Sequence, residues 1–146
     1  MSAGPVPTRR NVGDALADVL LAAVRACFRY PPGENRATGV IYGDVPWPPS
    51  FATLGPALLD ELGGDYVVFQ AYRDGRAVTA EHSDAMPQRI VSLGATRRFV
   101  LDGQVLELTH GDVLDVAPGT PHEVPADPVV TGERCSLVFR TLKGNP

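Results

Sequence analysis

From Asp65 onward the sequence breaks into short runs rich in β-branched and aromatic residues, and few folds accept such a pattern. The runs are Tyr66 to Tyr72, Ile90 to Leu93, Arg98 to Leu101, Val105 to Leu108, Val113 to Val116 and Cys135 to Thr141. Gly75, Asp102-Gly103, His110-Gly111 and Pro118-Gly119 punctuate them. An Asp-Gly pair between two such runs is a strong hairpin signal, because both turn residues must take positive φ. Many short strands at regular spacing point to a closed or sandwiched all-β core. The expected fold is mainly β, a double-stranded β-helix (jelly roll) with its core at about residues 65–142 and two helices before it.

The first helix is expected from about Val12 to Tyr30, capped by Asn11, with Leu16, Val19, Leu20, Ala23, Cys27 and Phe28 on one face. Pro31-Pro32-Gly33 stops it. A second helix is expected from Phe51, capped by Ser50, to Gly63-Gly64, with Pro56 near its first turn. Residues 1–10 read as a flexible arm, 34–50 as irregular, and 11–146 as a single domain.

At 146 residues, 44% apolar and 21% charged, the chain has an ordinary soluble composition and is long enough to bury a core. A net charge of −4 exerts no general pull toward nucleic acid. No run of 18 apolar residues is present, so no membrane span is expected. The N-terminus lacks the apolar core of a signal peptide. Two cysteines, Cys27 and Cys135, make no disulfide framework and read as buried thiols, which fits a reducing cytoplasm. The oligomeric state is not encoded in these features.

Glu81-His82-Ser83-Asp84 carries the chemistry. On an extended backbone, residues two apart face the same way, so the imidazole of His82 and the carboxylate of Asp84 are aligned for one metal ion. His122, at the end of a strand and tight turn, is the candidate third ligand. Two His and one carboxylate on one face of an octahedron leave open positions, the pattern of non-heme Fe(II) oxygenases. His110, in a turn, reads as structural, and Glu81 and Glu123 as solvated, since strand alternation turns them away from the metal.

Arg134 to Arg140 alternates as a strand, with Cys135, Leu137 and Phe139 on one face and Arg134, Ser136, Val138 and Arg140 on the other. Two arginines on one face are costly to turn inward without an anionic partner. A dicarboxylate such as 2-oxoglutarate would supply one through paired hydrogen bonds to guanidinium. The competing reading is an exposed edge strand with solvated arginines. Tyr42 and Trp47, in a Gly- and Pro-rich stretch, are candidates to stack on a planar substrate, against the plainer reading that Trp47 is buried packing. Arg97 and Arg98 read as an outer surface pair, and Arg89 as a candidate to draw an anionic substrate.

Taken in order, these pieces resemble the AlkB-like Fe(II)/2-oxoglutarate dioxygenases from about Gly39 to Arg140. The matching residues are Pro46-Trp47-Pro48-Pro49, Gln70-Ala71-Tyr72-Arg73-Asp74-Gly75, His82-Ser83-Asp84, Val91-Ser92-Leu93-Gly94, His110-Gly111-Asp112-Val113, His122, and Arg134 to Arg140. The resemblance implies iron held by His82, Asp84 and His122. It implies 2-oxoglutarate held by Arg134 and Arg140, with a hydrogen bond from Tyr72 and contacts from Gln70 and Ser136. It implies use of O2 to hydroxylate or oxidatively demethylate a modified nucleobase in nucleic acid. Gln70 and Ser136 stand where the family usually has Asn, and Met86 stands where its base-repair members carry a second acid that helps choose the substrate. The base in DNA or RNA is what the resemblance suggests first; the missing acid, the short chain and the acidic balance fit the alternative, a small molecule, nucleotide or protein side chain as substrate.

Gly111-Asp112, Pro118-Gly119 and His122 also resemble the second motif of the cupins, another jelly-roll family. A cupin would be a metal-dependent enzyme or an effector-binding module. It would carry His-x-His where this chain has His82-x-Asp84, and the arginine pair has no place in that scheme.

Overall fold

The computed structural model describes residues 9–42 and 47–141. Its strands are β1 (Arg9–Asn11), β2 (Arg36–Tyr42), β3 (Tyr66–Tyr72), β4 (Thr79–His82), β5 (Gln88–Gly94), β6 (Arg97–Leu101), β7 (Gln104–Leu108), β8 (Asp112–Val116), β9 (His122–Val124) and β10 (Arg134–Arg140). Helix α1 (Asp14–Cys27) lies between β1 and β2, and helix α2 (Leu54–Leu62) precedes β3. A six-stranded sheet in the order β1-β8-β5-β10-β3-β2 faces a four-stranded sheet in the order β4-β9-β6-β7. Every pairing is antiparallel, the architecture of a jelly roll.

The alternation of β10 explains how the layers are built. Cys135, Leu137 and Phe139 join Ala17, Leu20, Val24, Leu58 and Leu62 in a core between the large sheet and the helices. Val138 points the other way, into a second core with Val68, Tyr72, Ile90, Phe99, Leu114 and Val124 between the two sheets. Strands buried on both faces are dense in apolar residues, which is why β3, β5, β8 and β10 stand out in the sequence despite the polar residues they carry. The turn between β6 and β7 is the expected Asp-Gly hairpin, with Asp102 at φ 50° and Gly103 at φ 77°.

Several expected boundaries shift. Arg9 and Arg10 do not belong to an arm: β1 pairs with β8, Arg9 donates to the Asp112 carboxylate at 2.7 Å, and Asn11 donates to its other oxygen at 3.0 Å. Asn11 is therefore a strand residue, and its side-chain oxygen accepts the Gly13 N–H at 2.7 Å while Gly13 takes the N-cap position of α1. Ser50 caps nothing. Its hydroxyl donates to the Ala23 carbonyl at 2.8 Å, and a 3-10 turn (Pro49–Phe51) precedes α2. The stretch expected to be irregular contains β2, paired along its length with β3. Cys135 is buried and burial pushes its thiol up to about 12, whereas Cys27 is only half-buried; both are free. No helix among the described residues is long and apolar enough to cross a membrane.

Gly75 locks the loop after β3. Its N–H donates to the Val130 carbonyl at 2.8 Å, its carbonyl accepts the Asp127 N–H at 2.8 Å, and a Cβ there would lie 1.6 Å from the Asp127 oxygen. Gly75→Ala is expected to destabilise the protein by about 2–4 kcal/mol, because backbone rather than a flexible side chain must move. A urea-unfolding midpoint equal to the wild type would contradict so close an approach.

Candidate metal centre and anion pocket

The two candidate histidine ligands meet because β4 pairs with β9 in a register that sets His82 opposite His122. Their ring centroids are 4.3 Å apart. Each Nδ1 approaches the backbone carbonyl two residues earlier, His82 that of Ala80 at 2.9 Å and His122 that of Thr120 at 2.8 Å. A carbonyl only accepts, so each Nδ1 is a donor and, in the neutral imidazole, each Nε2 presents its lone pair. Asp84 places its Oδ2 3.4 Å from both Nε2 atoms. The three ligand atoms lie within 4.8 Å of one another. In their neutral form the two imidazoles and the Asp84 carboxylate turn three acceptors toward one point, a donor set that a divalent cation satisfies. His122 is buried and stacked on Phe99 (5.8 Å, 16°), while the His82 side chain is 39% exposed at the mouth.

Asp84 does not reach this position by strand alternation. β4 ends at His82, its pairing with β9 is irregular, and Asp84 lies in the following loop. Its carbonyl accepts the Gly119 N–H at 2.8 Å, and its Oδ2 accepts a hydrogen bond from the Gln88 side-chain amide.

Beside the triad lies a cleft of about 350 Å³, lined in part by Gln70, Tyr72, Arg134, Ser136 and Arg140. The register sets Arg134 opposite Tyr72 and Ser136 opposite Gln70, so one inward row on each of β3 and β10 supplies them. Arg134 is only 2% exposed; its Nε donates to the Ser92 hydroxyl at 3.0 Å and its guanidinium lies 5.1 Å from the Tyr72 ring centroid. Burial pushes this guanidinium below its ordinary pKa, Tyr72 opposes that, and Arg97 adds repulsion. Among the described residues no carboxylate forms an ion pair with Arg134. A buried cation without a counter-charge is the costly state that an anionic ligand relieves. Arg140 lies nearer the metal site, 3.9 Å from Asp84 Oδ2 and 3.4 Å from the Gln88 side-chain oxygen.

Tyr72 donates to Gln70 Oε1 at 2.7 Å and shares a second 2.7 Å contact with Thr79 Oγ1. Its single proton is thus committed, and the Gln70 amide nitrogen is the donor left for a ligand. Arg36, which sequence reading missed, also donates to Gln70 Oε1, at 3.0 Å, and stacks on Tyr72 at 4.9 Å. It comes from β2, the strand hidden in the stretch read as irregular.

Other candidates fall elsewhere. Arg97 is no surface residue: it is 1% exposed and donates to the carbonyls of Asp74, Ala77 and Pro125, because β6 turns Arg97, Phe99 and Leu101 inward. Only Arg98 is exposed, with an Asp127 partner at 3.4 Å. Arg89 faces away from the cleft, bonded to Asp115 at 2.6 Å and to the Leu62 carbonyl at the end of α2 at 2.7 Å, so its charge is already spent. Trp47 packs with the helices, 6.4 Å from Phe51 and against Gly55, where a Cβ would meet its ring at 2.3 Å. It plugs the outer layer and does not reach the cleft. Tyr42 pairs with Tyr66 at the end of β2, and its side chain lies outside the described residues. Met86 is half-buried in the loop that carries Asp84. His110 ties α1 to the barrel, accepting the Gly94 N–H at 2.8 Å and meeting Asp18 at 2.8 Å. Glu81 is exposed and Glu123 half-buried.

No family model and no curated protein sequence matches the chain. Among solved structures it is similar to a cupin 2 conserved barrel domain protein from Rhodopseudomonas palustris, with a TM-score of 0.54 and 8% identity over 82% of this chain and 71% of that one. It is also similar to a salicylate 1,2-dioxygenase from Pseudaminobacter salicylatoxidans, with a TM-score of 0.52 and 17% identity over 86% of this chain. The chain spans 31% of that dioxygenase's length. At these identities the likeness establishes the jelly-roll fold.

Proposed function

We propose that the chain is a metal-dependent oxygenase of the AlkB-like kind, holding Fe(II) on His82, Asp84 and His122 and using 2-oxoglutarate as co-substrate. The observation that carries this reading is Arg134, a buried guanidinium with no carboxylate partner among the described residues, in the same cleft as two of the three candidate ligands. The donor set fits iron: two imidazoles oriented through Nδ1 hydrogen bonds, which leave Nε2 to ligate, and one carboxylate. When bound, iron with 2-oxoglutarate and O2 supplies an oxidant that takes hydrogen from a C–H bond while the co-substrate loses CO2 and becomes succinate.

The chain's own part is placement. The Ala80 and Thr120 carbonyls hold both imidazoles in the ligating tautomer. Arg134 and Arg140 hold the anionic groups of the co-substrate, the Gln70 amide adds a donor, and Ser136 adds a hydroxyl. Ile90, Val124 and Val138 give the cleft an apolar wall that limits water. The cupin-type alternative, a metal-binding enzyme or effector module without a dicarboxylate, leaves Arg134 uncompensated.

For the substrate, the arrangement favours a small molecule or free nucleotide over a modified nucleobase held in a strand. Trp47 and Arg89, two anticipated contacts, are packed or paired elsewhere, and the net charge is −4. A nucleic-acid substrate would show turnover falling steeply with salt.

The test is succinate formation from 2-oxoglutarate in air after anaerobic loading with Fe(II). Wild-type protein is expected to release succinate, and His82→Ala and Arg134→Ala to release only background. Equal succinate from all three would sink the reading. A salt-sensitive stimulation by methylated oligonucleotides would restore the strand-borne base as substrate.

A further inference from the structure

Resting on that reading of the metal centre, we infer that Gln88 is a positioning residue that keeps the Asp84 carboxylate available to the metal by holding Arg140 off it. Gln88 opens β5 and is 4% exposed. Its amide nitrogen donates to Asp84 Oδ2, and its amide oxygen accepts from Arg140 at 3.4 Å. Chemistry fixes this orientation, since an ionised carboxylate only accepts and a guanidinium only donates.

The need for such a residue follows from the backbone. Asp84 sits in a loop and not on β4, so its side chain lacks the restraint of a strand. The same Oδ2 faces His82, His122 and, at 3.9 Å, Arg140. Arg140 Nε is buried with no hydrogen-bond partner among the described residues, so this guanidinium has an unmet donor while its Nη2 lies 3.9 Å from the carboxylate. Left alone, the two would close into a direct ion pair, drawing the carboxylate away from the imidazoles. The Gln88 amide stands between them and gives each a partner. Outer-shell groups of this kind are worth roughly 10- to 100-fold in metal affinity.

The experiment is a titration of metal-free protein with Co(II), followed by its visible absorption and by calorimetry, for wild type, Gln88→Met, Arg140→Met and the double variant. Gln88→Met keeps the length of the side chain and removes both hydrogen bonds. It is expected to bind Co(II) about 10- to 100-fold more weakly, with an altered visible spectrum. The double variant is expected to recover a large part of that loss, because the competing guanidinium is gone; a purely structural role for Gln88 would give no such recovery. Gln88→Met binding Co(II) as tightly as wild type overturns the inference and leaves the metal reading standing, as does a double variant no better than Gln88→Met. Wild-type protein that binds no Co(II), or binds it equally after His122→Ala, overturns the metal reading itself. If circular dichroism shows Gln88→Met unfolded, Gln88→Asn, which withdraws the amide by one methylene, is expected to show the same loss, and wild-type affinity in it overturns the inference.

Discussion

His122→Ala is expected to abolish turnover and to weaken metal binding by more than about 100-fold, beyond the loss typical of an outer-shell partner. The same substitution at His82 is expected to do the same to the metal and to turnover. The two differ in what they do to the metal-free fold. His122 is buried, stacked on Phe99 at 5.8 Å and anchored to the Thr120 carbonyl. Its removal leaves a hole between the sheets, and a cost of about 1–3 kcal/mol is expected. His82 is half-exposed at the mouth, so His82→Ala is expected to change stability by no more than about 0.5 kcal/mol. Mn(II) titration paired with thermal unfolding of the metal-free proteins separates the two effects. A His122→Ala protein that still takes up one metal ion with wild-type affinity would remove it from the ligand set.

Arg134→Met is expected to weaken 2-oxoglutarate binding by about 2–4 kcal/mol, roughly 30- to 1,000-fold, the usual cost of losing one partner of a buried charge pair. It is expected to leave the metal-free protein at least as stable as the wild type. Without ligand, the guanidinium is buried against neutral partners, the Ser92 hydroxyl and Tyr72, with no carboxylate among the described residues, and an apolar side chain of similar size fills the site without that desolvation. Loss of function with no loss of stability would mark Arg134 as kept for a ligand. A lower unfolding midpoint with unchanged 2-oxoglutarate affinity would mark it as structural.

Much of this was legible in the sequence, for reasons that can be named. Strands β3, β5, β8 and β10 announce themselves because burial on both faces makes β-branched and aromatic residues dense along them, even where a polar residue of the cleft interrupts the run. The Asp102-Gly103 hairpin follows from turn chemistry alone. The inward row of Arg134, Ser136, Val138 and Arg140 follows from strict alternation along β10, and the structure keeps it.

What was not legible depends on distant partners. β1 is three polar residues and becomes a strand only because the Asp112 carboxylate, far along the chain, takes hydrogen bonds from Arg9 and Asn11. Arg97 is buried because backbone carbonyls from Asp74, Ala77 and Pro125 converge on it, and backbone acceptors leave no mark on a sequence. Arg89 is neutralised by Asp115, one strand over. The structure brings Asp84 beside His82 and His122, but not by the shared strand face that the His-x-Asp spacing suggests: Asp84 lies in the loop after β4, where Gln88 donates to its carboxylate. Gln88 itself had no signal, since a lone glutamine before a strand is ordinary.

The decisive measurement is an oxygen-free calorimetric titration of 2-oxoglutarate into protein loaded with Mn(II), run beside the metal-free protein. One 2-oxoglutarate is expected to bind per chain, much more tightly with metal present than without, and Arg134→Met is expected to remove most of the heat. Metal seated on His82, Asp84 and His122 with no measurable 2-oxoglutarate binding would contradict the oxygenase reading and leave a jelly-roll metal site whose buried arginine serves some other anion.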